Sequence, residues 1–234
     1  MHLQSEMYKF YLHGRRARKK PLLSKKNIKA RLQFVSDYIC KDEVFWNNVL
    51  WTDKSKIELF GHSNSRHVWH RPKTAFQEIL TVKHSGGNVM VWGCFTASGT
   101  GQLAFIDSTM NSASYQRVLE DNLSICTKLK LNQKWTFQQD NDPKHTSKST
   151  KEWLNKKKRG VMEWPSQSPD LNPTEMLWGG FETGSTCKKT LLQLKEYCMG
   201  QWSKIPASHC QRLVDNYAKW LQEVISAKGG NTSF

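Results

Sequence analysis

The chain is short of acid. Its 234 residues hold 20 Asp or Glu against 35 Lys or Arg, for a net charge of +15. A field of that sign favours a polyanionic partner, nucleic acid first and an anionic membrane surface second. The chain also lacks a secretory leader and any apolar run near the ~20 residues that cross a bilayer, so no membrane partner is expected. Its six cysteines stand at 40, 94, 126, 187, 198 and 210. No two have C-x-x-C spacing and none clusters with His at zinc-like spacing, so they read as reduced thiols, mostly in the core. Repeats and low-complexity tracts are absent. Apolar residues are only 38% of the total, but 10 Trp and 10 Phe bury a large area each, enough for one substantial domain.

What charge there is lies unevenly. Met1 to Arg31 contains ten Lys or Arg and one acid, Glu6. Residues 1–30 read as a basic arm or linker and 31–234 as the folded domain. Within the arm Arg15, Arg16, Arg18, Lys19, Lys20, Lys25 and Lys26 suit phosphate contact or nuclear import. Lys156, Lys157, Lys158 and Arg159 form a second cluster, by default a solvated helix end and secondarily a DNA contact.

Ile28, Leu32, Val35 and Ile39 predict a helix over 25–39, and Asp42 caps a short turn through Trp46. Strand candidates follow at Val49–Thr52, Ile57–Phe60, His67–Trp69, Ile79–Val82, Val89–Phe95 and Leu103–Ile106, punctuated by glycine and proline. The pattern then alternates. A helix capped at Asn111 or Ser112 runs towards Cys126, Trp135–Gln139 is a strand, and a helix from Thr146 or Ser147 runs to Lys158. Val161–Trp164 is a short strand, Pro165–Leu171 a loop, and Leu191–Trp202 and His209–Ile225 are helices. Strands first, then strand–helix alternation, predict a mixed α/β fold with helices packed on a mixed sheet.

Three acids stand out. Asp53 ends Val49–Thr52, Asp140 follows the strand at 135–139, and Glu175 follows Asn172-Pro173-Thr174, a cap and first helical turn. Taken singly, each has an ordinary reading: Glu175 as a capping-box residue, Asp140 as turn chemistry, Asp53 as a strand end. Asp142 and Asp170 read as turn formers, His145 as a structural hydrogen-bonding residue or ligand orienter, and Trp164 and Trp178 as core.

The strings around the three acids carry more. VLWTDKSKIELFG, VMVWGCF, QQDNDPKHTS and SPDLNPTEMLW, in this order and with 34 residues between Asp140 and Glu175, resemble the catalytic domain of Tc/mariner transposases of the Tc-like branch. The resemblance runs from about Lys19 to the end. It implies a ribonuclease-H-like fold with a five-stranded-type sheet. It also implies that Asp53, Asp140 and Glu175 form a metal-binding catalytic triad using two Mg²⁺ or Mn²⁺ ions, Asp53 shared between them. The partner is then DNA, the assembly a homodimer or higher synaptic complex, and the location nuclear. Such carboxylates suit phosphodiester cleavage because hard oxygen ligands hold divalent ions flanking the phosphorus.

Two departures from the family set further expectations. Gly179-Gly180 predicts a short or frayed helix behind Glu175, since glycine costs about 1 kcal/mol in a helix interior. The 52 residues before Asp53 are too few for the family's paired helix-turn-helix modules, so a truncated or decayed copy with mainly electrostatic DNA affinity is expected. The alternative is a non-catalytic DNA-binding protein derived from such an enzyme.

Overall fold

The computed structural model describes residues 21–59, 87–106, 110–123, 129, 131, 135–157, 160–182 and 190–232. Five strands form one sheet in the order β3-β2-β1-β4-β5. They are β1 (Val49–Glu58), β2 (Asn88–Thr96), β3 (Gly99–Ile106), β4 (Thr136–Phe137) and β5 (Gly160–Val161). β1, β2 and β3 pair antiparallel, whereas β4 pairs parallel with β1's first residues and β5 parallel with β4. Nine helices among the described residues flank the sheet: α1 (Lys25–Tyr38), α2 (Glu43–Asn47), α3 (Ser112–Leu123), α4 (Pro143–Thr146), α5 (Lys148–Lys156), α6 (Thr174–Glu182), α7 (Leu191–Ser203), α8 (Ala207–Asp215) and α9 (Tyr217–Ser226).

Period-two alternation along the strands makes two cores. Val49, Trp51, Val91 and Phe95 face α1, α2 and α6–α9, while Leu50, Trp92, Cys94 and Phe137 face α3 and α5. Of the described cysteines, Cys94, Cys198 and Cys210 are buried free thiols and Cys40 is exposed.

Several boundaries differ from the sequence reading. Val49–Thr52 and the first two residues of the predicted Ile57–Phe60 belong to one ten-residue strand that ends at Glu58, so Asp53 lies mid-strand, and Phe60 lies outside the described residues. The polar Asp53–Lys56 run does not end it because β2 pairs with it from Trp51 to Glu58, while β4 covers only Val49 and Leu50. Polar side chains stand where that edge opens. Trp135–Gln139 shortens to the two-residue β4, and Val161–Trp164 is replaced by β5, which shares only Val161 with it. Of the two predicted starts, Thr146 and Ser147, the helix towards Lys158 takes Ser147: its extended backbone (ψ 152°) divides the separate α4 from α5, and its hydroxyl caps α5 at Thr150. The tail helix predicted over 209–225 likewise divides at Asn216. α6 continues through Gly179 and Gly180 to Glu182. The strands predicted at His67–Trp69 and Ile79–Val82, and Cys126, lie outside the described residues.

Candidate active site

Thr52 draws three segments together. Its N–H donates to Gln138 Oε1 (3.0 Å) and its hydroxyl to the Gln138 carbonyl (2.8 Å). Its own carbonyl accepts from Asn172 Nδ2 at 3.2 Å. Thr52 precedes Asp53 by one residue, Gln138 precedes Asp140 by two, and Asn172 precedes Glu175 by three. All three hub residues are buried, where unpaired polar groups are costly, so the hub is tightly specified. Asn172 also accepts the Thr174 N–H through Oδ1, capping α6 while it holds β1. The Asn172 N–H that a capping-box Glu175 would accept goes instead to the Pro169 carbonyl at 2.9 Å, which leaves the Glu175 carboxylate to the cleft.

Asp53, Asp140 and Glu175 line one cleft as a result, with Asp142, Trp164 and the loop Pro165–Pro169 as its other wall. Trp178, one helical turn beyond Glu175, donates its indole N–H to Asp53 Oδ2 at 2.7 Å. Asp140 accepts from the Asp142 backbone N–H and pairs through Oδ1 with His145 Nδ1. His145 is buried and stacks on Tyr115, ring centroids 3.9 Å apart. Asp142 caps α4 at Lys144 and pairs with Lys54 Nζ at 3.2 Å.

The electrostatics are those of crowded carboxylates. Burial, then the charge of Glu175 and to a lesser degree that of Asp140, pushes Asp53 up to about 7, against the opposing pull of the Trp178 and Lys54 N–H groups. Desolvation raises Glu175 as well. Burial also acts upward on Asp140, but His145 and the Asp142 N–H outweigh it and hold the carboxyl below its ordinary range.

Three hard carboxylates that repel one another in one cleft fit a divalent cation, whose charge would relieve the repulsion. Among the described residues no three His, Cys, Asp or Glu side chains already stand as a closed coordination group.

The other sequence candidates are placed differently. Lys25 and Lys26 are exposed on the first turn of α1, and Lys156 and Lys157 on the end of α5. Lys157 Nζ pairs with Glu120 at 3.1 Å. Arg15, Arg16, Arg18, Lys19, Lys20, Lys158 and Arg159 lie outside the described residues. Asp170, read as an ordinary loop former, accepts two bonds of 2.7 Å from Arg31, which is fully buried although it belongs to the basic N-terminal run. Trp164 and Trp178 are core residues as expected, but Trp178 also reaches the site. Thr52, Gln138 and Arg31 escape sequence reading, and Asn172 is read as a cap but not as a tie to β1, because nothing local marks a polar residue as buried. Trp178 carries a usable signal: it lies three residues from Glu175, on the same helix face.

The profile of the DDE superfamily endonucleases matches residues 48–192, and a transposase helix-turn-helix profile matches residues 3–39. The Tcb1 transposable element transposase of Caenorhabditis briggsae is 38% identical over 233 residues, 95% of this chain and 84% of the relative. The Tc1 transposase of Caenorhabditis elegans is 38% identical over 234 residues, with the same coverage. Among solved structures, the Mos1 transposase paired-end complex with left transposon end superposes with a TM-score of 0.84 at 16% identity, over 99% of this chain and 71% of that one. The chain therefore belongs to the Tc/mariner superfamily of DDE transposases, and its sheet and helices form that family's ribonuclease-H-like catalytic domain.

Proposed function

We propose that Asp53, Asp140 and Glu175 are the catalytic carboxylates of a DNA-cutting and strand-joining site. The observation that carries this reading is the Thr52 hub, which brings the three acids of a DDE family chain into one cleft. The proposed occupancy is two Mg²⁺ or Mn²⁺ ions, Asp53 shared and Asp140 and Glu175 holding one each. Structures of the Mos1 relative described as holding Mn or Mg support the choice of metal. Bound there, the metal supplies charge that activates a water or 3′ hydroxyl and offsets charge on the leaving oxygen.

The chain's own residues prepare the site. His145 and the Asp142 N–H fix the Asp140 carboxylate, and Asn172 fixes the first turn of α6 beneath Glu175. DNA is the substrate and partner this chemistry requires, which the net charge of +15 and the Mos1 transposon-end complex support. Paired-end Mos1 complexes likewise support a dimeric or higher synaptic assembly. The proposed location is the nucleus, for which the basic run of residues 1–31 is suited. Residues 3–39 are assigned to a DNA-recognition module rather than a featureless arm, on the helix-turn-helix match.

The test is nicking of supercoiled plasmid DNA carrying the element's terminal repeats. Mn²⁺ or Mg²⁺ should be required, and Asp140→Asn should abolish nicking, because an amide lacks the charge that holds the ions. Nicking that survives Asp140→Asn would sink the assignment.

A further inference from the structure

Trp178 has an aromatic environment built to aim its N–H. Its ring stacks on Trp202 with centroids 5.0 Å apart and planes at 21°. Trp202 is tied in turn to the sheet, donating to the Gly101 carbonyl at 2.8 Å. Both rings lie over Gly93, where an added Cβ would come within 2.8 Å of Trp178 and 2.9 Å of Trp202, too close for either to stay in place. Gly93 is the register partner of Asp53 across β1 and β2. The missing side chain therefore makes room, directly opposite Asp53, for the ring that hydrogen-bonds it.

We infer that Trp178 is a positioning residue: it holds the Asp53 side chain in one orientation beside Glu175 and Asp140, so that the cation site is assembled before a cation arrives. Trp178 and Glu175 share α6, so one helix presents a carboxylate to the cleft and sets the orientation of another. An indole N–H of this kind orients a ligand without coordinating, a role whose loss costs on the order of tenfold to a hundredfold in metal affinity. The inference rests on the proposed cation site.

The experiment titrates the metal-free full chain with MnCl₂ by calorimetry, wild type beside Trp178→Phe, with the melting temperature of each. Phenylalanine keeps a ring against Trp202 and removes the N–H. The expected result is Mn²⁺ affinity at least about tenfold weaker at a nearly unchanged melting temperature. Unchanged affinity in a folded Trp178→Phe overturns the inference and leaves the cation site standing. A wild-type chain that takes up no Mn²⁺ overturns the cation site and the inference with it. The indole N–H resonance of Trp178 gives a second readout if the Phe variant does not fold. It should move upfield in Asp53→Asn, and a resonance that stays put refutes the contact.

Discussion

Asp53 is the residue whose state depends most on its neighbours. Its carboxyl sits near pH 7, raised by burial and then by the charge of Glu175. A carboxyl raised in the folded state holds its proton where the unfolded chain has lost it. The native state therefore binds more protons between about pH 4 and 7, and stability falls as pH rises through that window. Asp53→Asn removes the effect. At pH 8 and without metal, the variant should be more stable than wild type by on the order of 4 kcal/mol, and the two should converge near pH 4. Urea titrations at the two pH values measure this, and equal stability at pH 8 would count against a strained Asp53. Added Mn²⁺ should narrow the gap by stabilising only the wild type.

Among the elements, α1 matters beyond its place at the end of the helix-turn-helix match. Arg31 reaches from it to Ser168 in the cleft wall, to Asp170 just beyond that wall, and to the carbonyls of Gly229 and Gly230 after α9. Asp170 also accepts from the backbone and hydroxyl of Thr232. Gly229, at φ +80°, lies so close to α1 that a Cβ would approach Ile28 within 2.8 Å. One planar guanidinium thus ties α1, the loop at Ser168–Asp170 and the turn at Gly229–Gly230. Lysine cannot reproduce that fan of donors. Arg31→Met leaves a largely buried carboxylate without its cation and should cost about 3–5 kcal/mol in denaturant unfolding, with Arg31→Lys recovering little. A loss below about 1 kcal/mol would show that the latch is dispensable.

At the scale of the whole molecule, charge and DNA recognition meet in residues 1–39. Neutralising about six phosphates would give a log–log salt slope of binding near about −5. Deleting residues 1–20 should flatten that slope, and on the helix-turn-helix assignment it should also remove preference for terminal-repeat DNA over scrambled DNA. Gel-shift titrations across salt concentrations check both. An unchanged slope would mean that this segment does not touch phosphate, and an unchanged preference that sequence is read elsewhere.

The fold class, the strand-then-helix order and the three acids were open to reading in the sequence. They rest on local periodicity, on caps such as Asp42 for α2, and on long strings around the acids. Strand lengths were less accessible, because β1 runs through Asp53–Lys56 only by virtue of its partner β2. Burial of polar groups was beyond local reading altogether. Arg31 looks like any cation in a basic run, Thr52 and Gln138 like ordinary polar residues, and Asn172 like a helix cap alone, until contacts 86 to 199 positions apart in sequence close around them. The sequence by itself determined which residues can bear the chemistry. Tertiary structure alone decided which buried neighbours aim them, because hydrogen-bond pairing in a desolvated site depends on distance in space and not along the chain.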